Sequence, residues 1–280
     1  VLDEPMLASS LLDEPAFAEG RVVLDALQSV CKSAADEVAA ARRQVSDYRS
    51  YIETWVHEAK SPLAAASLAL DNLRADGSID ARSAMALSSE LRRVDGYVEQ
   101  ALFVARSETL ERDYLIRRHG LHGLVAAAIK ANAAELIGAG IAPRLGEGLE
   151  LDVFCDDKWL GFILGQLVHN SVRYVRPDAE GGPAISFSAQ LLDEGTADER
   201  VELTVADNGC GCPAADLPRV FERGFTGENG RTHKRSTGLG LWLAATLCEK
   251  MGLFVRATSA EGEGFAVTIV FPANKMHYFE

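Results

Sequence analysis

Val201-Glu202-Leu203-Thr204-Val205-Ala206-Asp207-Asn208-Gly209-Cys210-Gly211 is the stretch on which the fold turns. Val201–Ala206 is dominated by β-branched and apolar side chains and reads as a strand. It runs into an acidic residue and a Gly-x-Gly turn. Such a turn lets backbone approach a ligand closely while Asp207 presents its carboxylate to the exocyclic amine of a base. Downstream, Ser236-Thr237-Gly238-Leu239-Gly240-Leu241 leads into a helix over Leu239–Met251. Backbone N–H groups and the positive end of the helix dipole then face the loop, which predicts a phosphate site. Upstream, Gln166 and Asn170 lie on one face of a helix over Lys158–Tyr174. Asn170 offers a neutral oxygen for Mg²⁺, a cation that keeps mostly water and phosphate ligands.

The segment 212–237 between the two glycine motifs carries Arg231, His233, Lys234 and Arg235, and reads as a basic lid over phosphates. Ile185–Leu192, Phe254–Thr258 and Phe265–Phe271 read as further strands, and Leu121–Ile137 as a further helix. Helices beside neighbouring strand pairs predict an α/β sandwich with a mixed sheet. Cys210-Gly211-Cys212 lacks the two additional spaced ligands that a structural metal site needs, so a metal is rejected there.

The N-terminal part follows a different period. Val38, Val45, Ile52, Ala59, Ala66 and Leu73 recur every seven residues, with Ala41, Tyr48, Trp55, Pro62 and Ala69 three residues later. These are a and d positions of a heptad seam. The e positions change from Arg42 and Arg49 to Val56, Leu63 and Leu70, which predicts a two-stranded coil that widens into a bundle near Trp55. Asp76-Gly77-Ser78-Ile79-Asp80 breaks the helix, Asp80 caps the next, and a second helix runs over Ala81–Glu111. Two wide apolar stripes on one hairpin call for a second copy, so a homodimer of four helices is expected.

His57-Glu58-Ala59-Lys60-Ser61-Pro62 lies on this first helix, with His57 at an f position facing away from the seam. An exposed imidazole keeps a neutral nitrogen available as a nucleophile at pH 7. Glu58 is placed to hydrogen-bond one ring nitrogen and sharpen the other, Ser61 stands one turn along, and Pro62 is expected to kink the helix.

The chain has 280 residues, 48% hydrophobic and 25% charged, enough to bury roughly 70–75% of its unfolded surface. That composition excludes disordered, collagenous and disulfide-scaffold classes. Lys+Arg 28 against Asp+Glu 41 gives a net charge of −13, which argues against nucleic acid as a partner and confines phosphate-binding cations to a local cluster. Five cysteines without a Cys-x-x-Cys pair read as reduced intracellular thiols. No run of about 18 apolar residues appears. The first residue is Val1, so the expectation is that an upstream part has been removed and that this is the cytoplasmic portion of a membrane-anchored protein.

Taken together, these motifs resemble those of bacterial sensor histidine kinases of two-component systems, over nearly the whole chain from about residue 35. His57–Pro62 resembles the H box, Gln166–Tyr174 the N box, Asp207–Gly211 the G1 box, Val220–Gly227 the F box and Thr237–Leu241 the G2 box. WVHEAKSPL and FERGFTGENGRTHKRSTGLGL are most similar to the intramembrane-sensing kinases that partner bacitracin-type ABC transporters. The resemblance implies an α+β protein: an antiparallel helical hairpin, dimeric as a four-helix bundle, and then a Bergerat-type α/β sandwich that binds ATP. It divides the chain into a linker or signal-transducing segment over 1–33, a dimerisation and phosphotransfer domain over 34–112, and a catalytic ATP-binding domain over 113–280, with a hinge over Ser107–Tyr114.

By the same resemblance His57 takes the γ-phosphoryl of Mg-ATP, assisted by Glu58 and Ser61, and passes it to an Asp of a response regulator receiver domain. Asp207 contacts adenine and Asn170 holds Mg²⁺. Gly209, Gly211, Gly238 and Gly240 shape the pocket and lid hinges, with Thr237, Leu239 and Leu241 beside them in the G2 box. Phe221 and Phe225 anchor the lid, from which Lys234 reaches the phosphates. Arg173 stands where Lys is usual, and Tyr174 keeps its aromatic. Three positions depart from the family pattern: Gln166 replaces Asn, Phe162 a polar residue, and Ser61 the Thr or Asn that orients water for dephosphorylating the regulator. A hydrolytic ATPase of the same fold needs a Glu where Gln166 stands, and an inert adaptor need not keep His57, Asn170 or the glycine motifs. The N-terminal region implies a membrane sensor or ABC transporter as a further partner.

Overall fold

In a computed structural model the residues described are 15–107, 115–227 and 238–272. The chain divides into two compact units between Ala105 and Arg106.

The first unit is a pair of helices, α1 (Ala18–Ala75) and α2 (Ala81–Ser107). α1 begins well before the expected start. Residues 18–33, part of the segment read as a linker over 1–33, are already helical. The apolar series therefore continues upstream of Val38 through Cys31 and Leu24, with Ala34 and Leu27 as its companion row. The helix also continues through Pro62, although that residue has no N–H to give to the Glu58 carbonyl. It ends where Gly77 turns into the left-handed region (φ 69°) and the Ser78 N–H reaches back to the Leu73 carbonyl at 2.9 Å. Asp80 then caps α2, its Oδ1 accepting from the Ser83 N–H at 2.9 Å.

Inside the hairpin, Val56, Val98 and Leu102 form a buried cluster flanked by Ile52, Ala59 and Leu63. The e-position residues Val56 and Leu70 are thus buried, whereas Val45, Tyr48, Trp55 and Leu73 on the seam, with Leu87 and Val94 on α2, stay exposed. The end of the second helix expected by sequence, beyond Ser107, lies outside the described residues, as does most of the expected hinge.

The second unit is an α/β layer pair. Strands β2 (Ala142–Leu145), β4 (Ala184–Leu192), β5 (Arg200–Asp207), β7 (Gly264–Pro272) and β6 (Phe254–Ala260) form one sheet in the order β2-β4-β5-β7-β6. β2 runs parallel to β4, and the remaining neighbours are antiparallel, so the sheet is mixed. β1 (Arg117–Gly120) and β3 (Asp152–Cys155) make a separate antiparallel pair. Among the helices α3 (Leu121–Ala131), α4 (Ala133–Gly138), α5 (Asp157–Arg173) and α6 (Gly240–Lys250), α5 packs between α3 and α6. Leu160, Ile163, Leu164, Leu243 and Leu247 from the helices and Ile185, Phe187, Leu203 and Ile269 from the strands are fully buried and make the core.

The single helix expected over Leu121–Ile137 is two, α3 and α4, broken at Asn132. The Asn132 side-chain amide donates to the Ala128 carbonyl at 2.8 Å, competing with the helical ladder. α5 starts at a buried Asp156, whose Oδ1 accepts from the Lys158 and Trp159 N–H groups at 3.0 Å each. Its Oδ2 accepts from the Leu115 N–H at 2.9 Å, so one carboxylate starts the central helix and ties down the chain that enters this unit.

Candidate functional site

The end of β5 meets the last turns of α5. Asp207 Oδ1 accepts from the Gly209 N–H at 2.9 Å, and Oδ2 accepts from the Ser171 hydroxyl at 2.8 Å. Both carboxylate oxygens are thereby fixed, one by its own turn and one by the helix. Burial pushes the Asp207 carboxyl above the usual carboxylate range, opposed by the hydrogen bonds from Gly209 and Ser171.

The turn itself requires glycine. A β-carbon on Gly209 would lie 2.3 Å from the Tyr174 carbonyl oxygen, and one on Gly211, at φ 67°, would lie 2.1 Å from that of Ala260. The Cys210 N–H completes the clamp on Tyr174 O at 2.9 Å. Asn208 faces the other way, accepting from the Ala184 N–H at 2.8 Å and donating to the Gly182 carbonyl at 2.9 Å, which fixes the strand end.

These residues open onto a pocket whose empty space, its mouth included, is ≈ 610 Å³. Of the residues expected at a nucleotide site, Asn170, Tyr174, Asp207, Gly211, Phe225 and Leu241 line it. The Asn170 side-chain nitrogen is buried with no hydrogen-bond partner among the described residues, so it is open to a ligand atom. A half-turn of that amide presents oxygen instead of nitrogen, so the position fits either a phosphate oxygen or a cation such as Mg²⁺. No cluster of three or more His, Cys, Asp or Glu that could hold a metal occurs among the described residues, so any cation here would depend on Asn170 together with ligand oxygens.

Gly209, Gly238, Leu239 and Gly240 act from behind the wall. A β-carbon on Gly240 would lie 2.8 Å from Gln166 Oε1, so the start of α6 rests directly on α5. Gln166 is itself buried and does not line the pocket, so it braces α6 rather than adding a second amide to the site. Leu239, at the N-cap of α6, gives no side-chain capping bond and the first turn holds no acid, which suits this positive helix end to an anion. Gly238, at φ 65°, packs on Gly224 and Phe225, and the Gly224 N–H donates to the Gly238 carbonyl at 3.0 Å. That bond joins the two flanks of the 228–237 stretch. The expected site residues Lys234 and Thr237 fall in this stretch, outside the described residues.

Phe225 lines the pocket while the Arg219 guanidinium stacks 4.5 Å from its ring centroid and pairs with Glu222 at 2.9 Å. Phe221 is half-buried but not at the wall, and Arg173 closes α5 without reaching the pocket. Ser171 and Phe265 belong to the site although sequence did not single them out. Ser171 was legible as the neighbour of Asn170. Phe265 is placed by strand pairing, directly opposite Asp207 on β7.

On the hairpin unit, His57, Glu58 and Ser61 are all exposed, and His57 makes no hydrogen bond or ion pair among the described residues. The hydrogen bond expected from Glu58 does not form, because adjacent residues on a helix do not face each other. Lys60 instead forms an ion pair with Glu99 of α2, tying the histidine's segment of α1 to the second helix.

Residues 155–275 match the family described as histidine kinase-, DNA gyrase B- and HSP90-like ATPases. The chain is 30% identical over 222 residues to sensor histidine kinase YxdK of Bacillus subtilis, covering 79% of this chain and 64% of that protein. It is 32% identical over 221 residues to sensor protein BceS of Halalkalibacterium halodurans, covering 78% and 60%. Over these lengths the chain is similar to bacterial sensor histidine kinases. It spans 60–64% of the length of these kinase relatives. Similarity to the full-length ShkA structure in complex with AMPPNP (TM-score 0.55, 22% identity, 79% of this chain and 45% of that one) supports the fold alone. The same holds for Acinetobacter baumannii histidine kinase AdeS (TM-score 0.51, 17% identity, 78% and 98%).

Proposed function

We propose that the α/β unit binds ATP in the pocket at the end of β5, and that an imidazole nitrogen of His57 takes the γ-phosphoryl group and passes it to an aspartate of a response regulator. The observation that carries this is the Asp207 carboxylate, held at both oxygens by Ser171 and Gly209 in the pocket lined by Asn170, whose amide nitrogen has no partner among the described residues. A fixed acceptor there suits the exocyclic amine of adenine. Asn170 suits Mg²⁺, which would supply charge neutralisation between the phosphates. The start of α6 offers backbone donors to phosphate oxygens, and the clasp of Gly224 and Gly238 holds the flanks of a segment carrying Lys234 and Thr237, which we assign to the phosphates.

Phosphoryl transfer asks of a protein mainly positioning and electrostatics, so the nucleophile itself can be a solvent-exposed imidazole, as His57 is. Because His57 and the pocket belong to separate units, the transfer step requires them to meet, and the segment after Ser107 is the proposed hinge. Glu58 and Ser61 flank the phosphoryl acceptor, Ser61 in the position to orient water for dephosphorylating the regulator. The exposed stripe of Val45, Tyr48, Trp55, Leu87 and Val94 supports a homodimer assembled through α1 and α2.

No helix among the described residues is long and apolar enough to cross a membrane. Attachment to a membrane sensor or ABC transporter is assigned to sequence upstream of α1. The decisive test is labelling with γ-radiolabelled ATP. The wild-type chain should acquire an acid-labile label that His57→Gln loses while retaining ATP binding. Persistent labelling of the variant would overturn the assignment of His57.

A further inference from the structure

The Cys210-Gly211-Cys212 turn is a chemical feature that the phosphotransfer chemistry leaves unused. Cys212 lines the nucleotide pocket, and Cys210 and Cys212 are both half-buried and in the thiol form rather than a disulfide. The remaining described cysteines are elsewhere: Cys31 lies on α1, while Cys155 and Cys248 are buried in the core, where burial pushes both thiols up to about 12. Only Gly211 separates the pair, turning at φ 67°. Two 3.8 Å Cα steps around such a turn leave the outer Cα atoms roughly 5.5–6.5 Å apart, inside the span a disulfide bridges. Chelation of a metal by this turn is not supported, because no third ligand joins the pair among the described residues.

The same turn is tied by hydrogen bonds to the nucleotide site and to β6. The Gly209 N–H holds Asp207 Oδ1 at 2.9 Å, the Cys210 N–H holds the Tyr174 carbonyl at 2.9 Å, and the Cys212 N–H donates to Ser259 Oγ at 2.8 Å. A β-carbon on Gly211 would collide with the Ala260 carbonyl, so the turn packs closely against the end of β6.

We propose that Cys210 and Cys212 form a reversible modification site inside the pocket: exchange with a small disulfide such as oxidised glutathione closes them into an intramolecular disulfide, and the closed form excludes nucleotide. The Cys212 sulfur, reached through the pocket, attacks one sulfur of the reagent and releases one glutathione thiol, giving a mixed disulfide. Cys210 then attacks the Cys212 sulfur and releases the second. Two protein S–H bonds and one reagent S–S bond are lost, while one protein S–S bond and two reagent thiols are gained, with the protein's two protons carried off on the leaving thiols. Closure draws the Cys212 side chain off the pocket wall toward Cys210 and pulls on the turn that orients Asp207. Burial pushes both thiols up, with Asp207 adding to it at Cys210 and Asp216 at Cys212, so the pair reacts slowly while protonated and an occupied pocket shields it.

The nucleotide half of this proposal rests on the ATP assignment above, and the test separates the two. The full chain is treated with oxidised glutathione, its disulfides are mapped by mass spectrometry, and ATP binding is measured by calorimetry before treatment, after it, and after dithiothreitol. The expected result is a Cys210–Cys212 disulfide, an ATP affinity at least tenfold lower, and recovery on reduction. Bound ATP should slow the closure. In Cys210→Ser the internal disulfide should not form, leaving at most a mixed disulfide on Cys212. No internal disulfide in the treated wild-type chain would overturn the modification site. A mapped disulfide with unchanged affinity would overturn the gating. A reduced chain that fails to bind ATP would overturn the nucleotide assignment and the gating together, while the disulfide map would still decide the thiol chemistry.

Discussion

The two units of this chain bury their apolar residues in opposite ways. In the α/β unit, twelve large side chains drawn mostly from α5, α6 and the central strands fall below 2% exposure, and its core closes on itself. In the hairpin the buried cluster is small (Val56, Val98 and Leu102), while Tyr48, Trp55, Leu73, Leu87 and Val94 remain open to solvent. A sheet layered with helices satisfies its own hydrophobic faces, but two helices cannot, because each presents a stripe wider than the other can cover. One unit therefore closes its apolar faces by itself, and the other leaves a stripe of apolar residues exposed.

That contrast can be broken at several points, the largest effect first. Leu203→Ala removes a fully buried side chain from the central strand and should destabilise the α/β unit by about 2–5 kcal/mol, read by denaturant unfolding. Little change would mean that this core is not self-sufficient. Trp55→Glu should instead leave that transition in place and weaken self-association by about 2–4 kcal/mol, seen as monomer in sedimentation equilibrium. A variant that remains fully dimeric would remove Trp55 from the interface. Asp207→Asn keeps an acceptor for the Gly209 N–H but loses the charge, and should weaken ATP binding by about 1.5–3 kcal/mol in calorimetry with little loss of fold.

The smallest expected effect lies on the far side of β5. Glu202 is only 3% exposed and is held by Arg256 through two hydrogen bonds of 3.0 and 2.6 Å, with Arg200 and Gln190 beside it. Arg256 lowers its carboxyl from 4.5 to about 2, against the opposing effect of burial. A carboxylate whose folded value is depressed stabilises the protein above the unfolded value and loses that contribution as pH falls through the folded one. Acid unfolding between about pH 4.5 and 2 should therefore be shallower in Glu202→Gln than in the wild type. At neutral pH the variant should cost about 1–2 kcal/mol, discounted because the guanidinium of Arg256 is half exposed. Identical acid profiles would show that the ion pair contributes nothing.

Legibility in the sequence followed the length and regularity of each element. The four long strands β4–β7 and helices α5 and α6 lie within two residues of the expected ends. The strands β1, β2 and β3 were not legible. Each has four residues, β2 contains Pro143 and is exposed throughout, and each exists only because a distant segment pairs with it, as Arg117 does with Cys155. The break at Asn132 was missed for a related reason: the apolar period runs through it, and only a side chain turning back on Ala128 interrupts it.

The site divides in the same way. Asp207, Asn170 and the glycines at 209, 211, 238 and 240 were readable, because glycine and short polar residues at fixed spacing have few other uses beside a strand end and a helix start. That Gln166 would brace Gly240 instead of facing the ligand was not readable, nor that Ser171 would hold Asp207, since 36 positions separate those partners along the chain.

The sequence by itself determined the heptad seam, the strand and helix alternation, the candidate nucleophile His57 and the glycine-bounded pocket, because these follow from periodicity and from backbone freedom at single residues. The tertiary structure alone decided which face of α1 is buried in its own hairpin and which is left open. It also decided which of the motif residues touch the pocket and which support it from behind, and that Cys212 stands in the pocket wall. Those outcomes depend on contacts between residues far apart in sequence, whose geometry no local pattern encodes.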